Sequence, residues 1–165
     1  MLKSDMQTFL PYADLAKSAQ TLDPKRLRSQ TWECRQVLKA LLGLSPGWAN
    51  HCVTRLWSGH EACLLEFWRE CWGHRRDDAG HADPAEFECL QLEGEEPSWF
   101  GDPAIHSAYR AHLLSKSADY GRFLWTEPAV SGYWAPDKDW NWKLYSGKLA
   151  EDDWRSAPIC SPNGN

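Results

Sequence analysis

The sequence predicts an all-α, compact, single-domain helical bundle that carries an irregular, Trp-rich C-terminal tail. Three observations predict it. Apolar residues recur at helical spacing, as in Leu27, Cys34, Leu38 and Leu41, and again in Leu64, Phe67, Trp68 and Cys71. Helix starts share one grammar, Asp23-Pro24, Asp83-Pro84 and Asp102-Pro103, in which Asp caps free amides and Pro suits the first helical position. No stretch alternates with a period of two for more than a few residues, so strands have no support.

Taken in order, the pattern predicts helices near 11–20, 24–42, 48–57, 60–73, 84–91 and 103–115. Gly43 is expected to stop the second and Gly73 the fourth. Asp83-Pro84-Ala85-Glu86 and Ser58-Gly59-His60-Glu61 both have capping-box spacing. After Tyr120 the periodicity dissolves. Residues 1–125 are read as the helical domain, with an acidic insertion at 77–96, and 126–165 as an aromatic tail packed on the bundle.

The 165 residues suit one domain with a real core, and 42% hydrophobic with 25% charged residues are near globular averages. The start MLKSDMQTF has no apolar h-region and no run approaches a membrane span. The expectation is a protein that stays in the cytoplasm of its cell or host, a monomer without membrane contact. Six Cys without a CxxC pair argue for buried thiols over disulfides. His60-x2-Cys63 and Cys71-x2-His74 have zinc-like spacing, but on one helix residues 60 and 71 lie about 16 Å apart. No metal and no cofactor is expected.

Net charge is −5, yet it is unevenly spread. Residues 22–76 hold nine Lys/Arg against five Asp/Glu, whereas 77–99 hold eight acids and no Lys or Arg. A basic body with an acidic insertion remains compatible with a polyanionic partner; a solvated acidic loop accounts for the same charges.

Within 24–42, Arg26, Gln30, Glu33 and Val37 fall within roughly 60° on a helical wheel, centred about 80° from the apolar stripe. A surface pairing of Arg26 with Glu33 would explain them; so would a cleft wall. Two further edges look similar: His51 with Arg55, and His106 with Arg110, each at i and i+4. Together these edges supply cations for phosphates and one carboxylate for proton transfer or oxocarbenium stabilisation. Of the eleven Trp, those at 32, 48, 57, 68 and 72 read as core. Those at 125, 134, 140, 142 and 154 read as staples for the tail, or as rings that stack on bases.

Three segments, MQTFLPYADLAKSAQTLDPKRLRSQTWECRQVLKAL (6–41), GWANHCVTRLWSGHEACL (47–64) and PSWFGDPAIHSAYRAHLLSKSADYGRFLW (97–125), carry a resemblance. The chain resembles the pyrimidine-dimer DNA glycosylases, the phage endonuclease V family, in the branch whose members begin MQTFLPY. The resemblance implies a helical domain whose N-terminal segment threads between helices to the active site. It implies attack of an N-terminal α-amine on C1′ of the damaged nucleotide, a Schiff base, base release and β-elimination. It places the essential glutamate at Glu33 and the amine at the start of the matching segment, beside Gln7, with Lys3 as a less favoured nucleophile. Lys25, Arg26, Gln30, His51, Arg55, His106 and Arg110 become the DNA contacts.

The function expected is a DNA glycosylase with AP-lyase activity on a damaged or modified pyrimidine in double-stranded DNA. The alternative is a non-catalytic protein of the same fold, an effector or DNA mimic. It would bind nucleic acid or a protein partner through the acidic segment or the Trp-rich tail.

Overall fold

The structure, a computed structural model, describes residues 7–75, 87–129, 133–136 and 142–145. The element order is α1 (Leu15–Thr21), α2 (Pro24–Leu41), α3 (Cys52–Leu56), α4 (Glu61–His74), α5 (Pro103–Lys116), a 3-10 helix (Ala118–Phe123), then β1 (Tyr133–Pro136) and β2 (Trp142–Tyr145). The body is all-α, as expected.

The Asp-Pro starts work as the sequence suggests where they are described. Asp23 Oδ1 accepts from the main-chain N–H of Lys25 at 3.0 Å and of Arg26 at 3.1 Å, and Asp102 Oδ1 accepts from Ala104 at 2.9 Å. Each satisfies donors that a first helical turn leaves unpaired. Gly43 adopts φ 72° and ends α2 in a conformation that favours glycine.

Boundaries differ in four places. α1 begins at Leu15, where Asp14 caps it, because 11–13 form a bend ahead of it. α3 is only Cys52–Leu56, since 48–51 form a turn closed by His51 N–H on the Trp48 carbonyl at 3.0 Å. α4 runs through Gly73 to His74. The Asp83-Pro84 start lies outside the described residues, and after a turn at 87–89 the chain at 90–97 has no helix. Instead it lies along α4, where Arg69 donates to the Glu88 and Leu90 carbonyls and His60 Nδ1 to the Glu95 carbonyl. The tail, expected to be irregular, contains an antiparallel hairpin in which Tyr133 faces Tyr145 and Pro136 faces Trp142.

α2 and α4 pack against each other, α1 covers α4, and α3 lies against α2. Leu27, Cys34, Val37 and Leu38 meet Leu64, Leu65, Phe67, Trp68 and Cys71, with Ile105, Tyr109 and Leu113 from α5 in the same core. Burying each large apolar side chain contributes about 1.5–3 kcal/mol. Trp57 and Trp68 are fully buried, as a core role predicts, and Trp48 and Trp72 partly so. Trp32 departs from that expectation and is 41% exposed. Cys34, Cys52, Cys63 and Cys71 are buried free thiols, and burial pushes the Cys63 thiol up to about 12. Among the described residues, no helix is long and apolar enough to cross a membrane.

Candidate active site

Residues 7–12 precede α1 and have neither helix nor strand pairing, so their buried main-chain groups must find partners elsewhere. Side chains from three parts of the fold supply them. The Gln30 amide of α2 accepts from Phe9 N–H at 2.7 Å and donates to the Gln7 carbonyl at 3.1 Å. His106 of α5 donates from Nδ1 to the Leu10 carbonyl at 2.7 Å, and Arg110 donates to the Pro11 carbonyl at 2.7 Å. Ser18 Oγ accepts from Tyr12 N–H and donates to the Tyr12 carbonyl. Trp57 Nε1 donates to Thr8 Oγ1 at 3.0 Å, and Phe9 packs edge-on against Tyr109 and His112.

The His106 tautomer follows from its partners. Its Nε2 accepts from Gly101 N–H at 2.9 Å, so the ring proton sits on Nδ1 and points at Leu10. Burial lowers its pKa, which holds the ring neutral in this role, although the Leu10 carbonyl pulls the other way. Burial likewise takes His112 down to about 4.

The polar stripe of α2 therefore faces the 7–12 segment. Gln30 is 0% and Glu33 5% exposed, and only Arg26 reaches the surface. Gln30 and Glu33 are three residues apart on one helix, so their Cβ atoms are about 5–6 Å apart. Gln30 thus fixes the Gln7 main chain about one helical turn from the Glu33 carboxylate. Both polar atoms of the Gln7 side chain, and Thr54 Oγ1 on α3, are buried without a hydrogen-bond partner. Leaving a buried amide unsatisfied costs about 1–3 kcal/mol per group, and Trp68 Nε1 and His112 Nδ1 are unsatisfied elsewhere.

The predicted cations divide into two groups. Arg26 bonds Asp23 at 3.4 Å and the Lys116 carbonyl at 2.9 Å, tying the start of α2 to the end of α5. Asp23 is held below the usual carboxylate range: burial alone would raise it, but Tyr120 donating at 2.5 Å, with Arg26 and Lys25, outweighs that. Lys25 is exposed on the first turn of α2. His51 caps α3, its Nδ1 accepting from Val53 N–H at 3.2 Å, and Arg55 is half-buried in the last turn of α3. His106 is 3% exposed and spent on the 7–12 segment. Arg110 is clamped to Glu127 at 2.6 Å. Gln30 and His106, expected as DNA contacts, hydrogen-bond to the main chain of residues 7–10. Sequence reading singled out both positions because they are polar at a core edge; it lacked the segment that makes that edge an interior. Trp57 and Thr8 were missed as a pair because 49 residues separate them.

Among the described residues, no group of three His, Cys, Asp or Glu is gathered to hold a metal ion. Comparison with curated proteins gives no match. Comparison with solved structures gives none either. A family model does match, over residues 6–76, the span that holds the 7–12 segment, α1 to α4, Gln30 and Glu33, and its description is pyrimidine dimer DNA glycosylase. Through that span, less than half of the chain, the sequence is similar to the pyrimidine dimer DNA glycosylase family.

Proposed function

We propose that the protein is a DNA glycosylase with AP-lyase activity on a damaged or modified pyrimidine in double-stranded DNA. The observation that carries this reading is the Gln30 clamp, which ties Gln7 and Phe9 to α2 beside the buried Glu33. In this reading an α-amine at the start of the MQTFLPY segment attacks C1′. The base leaves with its bonding electrons, the opened sugar becomes a Schiff base, and β-elimination expels the 3′ phosphate. Glu33 assists the proton transfers and stabilises positive charge at the sugar. The unsatisfied Gln7 amide and Thr54 hydroxyl are the polar groups offered to the flipped nucleotide. Lys25, Arg26, His51 and Arg55 are the contacts to phosphate, whereas Gln30, His106 and Arg110 position the 7–12 segment.

Borohydride trapping on a duplex with an abasic site tests the reading. The expected result is a covalent adduct and a nicked strand with the wild type. Glu33→Gln should still bind and should nick at least about 100-fold more slowly. Mass spectrometry of the trapped peptide identifies the amine. Intact strands at stoichiometric wild-type enzyme would exclude the lyase reading.

A second reading, a non-catalytic binder of a protein partner, is favoured by Glu88, Glu93, Glu95 and Glu96, all exposed along α4. Replacing these four by Gln separates the two. A DNA affinity that appears only in that variant supports the non-catalytic reading.

A further inference from the structure

The side of α2 opposite the core has a pattern of its own. Lys25, Arg28, Trp32, Arg35 and Lys39 follow one another at intervals of three, four, three and four residues. At about 100° per residue they fall within roughly 80° of arc, so they form one ridge. Lys25, Arg28 and Trp32 are exposed and Arg35 and Lys39 half-exposed. The only acid of α2, Glu33, is buried, so every charge that α2 turns to solvent is positive.

Trp32 sits at the centre of this ridge. It is one of three exposed large apolar side chains among the described residues, with Leu44 and Leu124. Unlike those two it belongs to an aromatic array. Its ring meets Trp48 at 6.0 Å and 84°, and Trp48 meets the ring of His51 at 5.3 Å and 69°. An edge-to-face contact fixes an indole while leaving π-surface uncovered. A Trp that merely filled space would gain by turning inward.

The geometry points to a nucleic-acid platform: Trp32 stacks on an unpaired base of the bound DNA, while Arg28, Arg35 and Lys39 hold the flanking phosphates. The inference rests on the proposed DNA glycosylase activity, whose chemistry leaves a base without its partner. From Lys25 to Lys39 the ridge rises about 21 Å, close to six nucleotides of a duplex strand at 3.4 Å each. Alternating cations and an aromatic ring are what single-stranded segments need, since each base offers a π-face and each linkage a charge.

Binding to a duplex with a tetrahydrofuran abasic analogue, which the lyase step cannot cut, tests this. Trp32→Phe should bind within about 3-fold of the wild type. Trp32→Leu and Trp32→Ala should each bind about 10-fold more weakly, with an unchanged dependence of affinity on salt. Arg28→Gln/Arg35→Gln should lower the slope of log K against log salt by roughly two. Leu can pack like Phe but cannot stack, so equal affinities of Trp32→Leu and Trp32→Phe would overturn the platform. So would an unchanged slope in the double cation variant. Wild-type nicking of an authentic abasic duplex, run alongside, keeps the failures apart. If nicking persists and the Trp32 variants bind alike, only the platform falls. If the wild type binds but does not nick, the lyase reading falls and the same variants still decide on Trp32. If it neither nicks nor binds, both fall.

Discussion

Gln30 accepts the main-chain hydrogen bond of Phe9 at 2.7 Å, across 21 residues of sequence, and so replaces the neighbouring strand that residues 7–10 lack. Its amide meets one acceptor and one donor of the same segment, as a paired peptide group would. Gln30→Leu should destabilise the fold by about 3 kcal/mol, because Phe9 N–H and the Gln7 carbonyl both lose their partner. Gln30→Glu keeps the acceptor and loses the donor, so it should fall between. Urea denaturation gives the stabilities. Faster hydrogen exchange at Phe9, with α4 still protected, would locate the loss.

Stability should fall as the solution is acidified from about pH 6.5. His112 sits at about 4 in the fold against a usual 6.5, chiefly because it is buried and secondarily because Lys116 is near. The unfolded chain therefore binds a proton that the folded chain refuses. The contribution is complete above 6.5 and is lost as pH drops towards 4, with a ceiling of about 3 kcal/mol. His106 is lowered too and acts in the same direction. His112→Phe should flatten the decline between pH 7 and 5 in urea titrations; an unchanged decline would remove His112 as its source.

Arg110 and Glu127 should be strongly coupled. Arg110 donates to Glu127 from Nε at 2.7 Å, Ser107 donates to the same oxygen at 3.0 Å, and Arg110 also holds the Pro11 carbonyl. Glu127 sits below the ordinary carboxylate value, since these donors outweigh a burial that would raise it. A double-mutant cycle with Arg110→Met and Glu127→Gln should give about 1–2 kcal/mol of coupling, above the usual surface pair, because both side chains are mostly covered. A coupling near zero would show the bridge to be surface-like.

Asp23→Ala should cost about 2 kcal/mol. It removes the cap of α2 and also the acceptor of the buried Tyr120 hydroxyl. Asn at the same position keeps the cap, so Asp23→Asn should recover about half of the loss by thermal melting. Recovery of the whole loss would mean that the Tyr120 contact contributes nothing.

Periodicity and capping made the helices legible. Leu27, Cys34 and Leu38 are core as their spacing requires, and Asp23 and Asp102 cap as their Pro neighbours suggest. The polar stripe was visible as well, but not its orientation. Gln30 looks like a surface amide until a segment with no sequence signature of its own is laid across it. The same limit applies to His106 and Arg110, whose partners lie 96 and 99 residues away. Short-range pattern carries no information about such pairings. Trp32 was misplaced for the opposite reason. Aromatic bulk suggested the core, although its spacing from Arg28 and Arg35 already placed it outside.

The segment at residues 7–12 is synthesised before any helix that holds it. Its last two anchors, His106 and Arg110, lie in α5. A ribosome-bound chain that ends before Pro103 lacks the His106 and Arg110 hydrogen bonds to the Leu10 and Pro11 carbonyls, so residues 10–11 gain their last anchors late in folding. Truncation anywhere ahead of α5 would leave the 7–12 segment without these two hydrogen bonds.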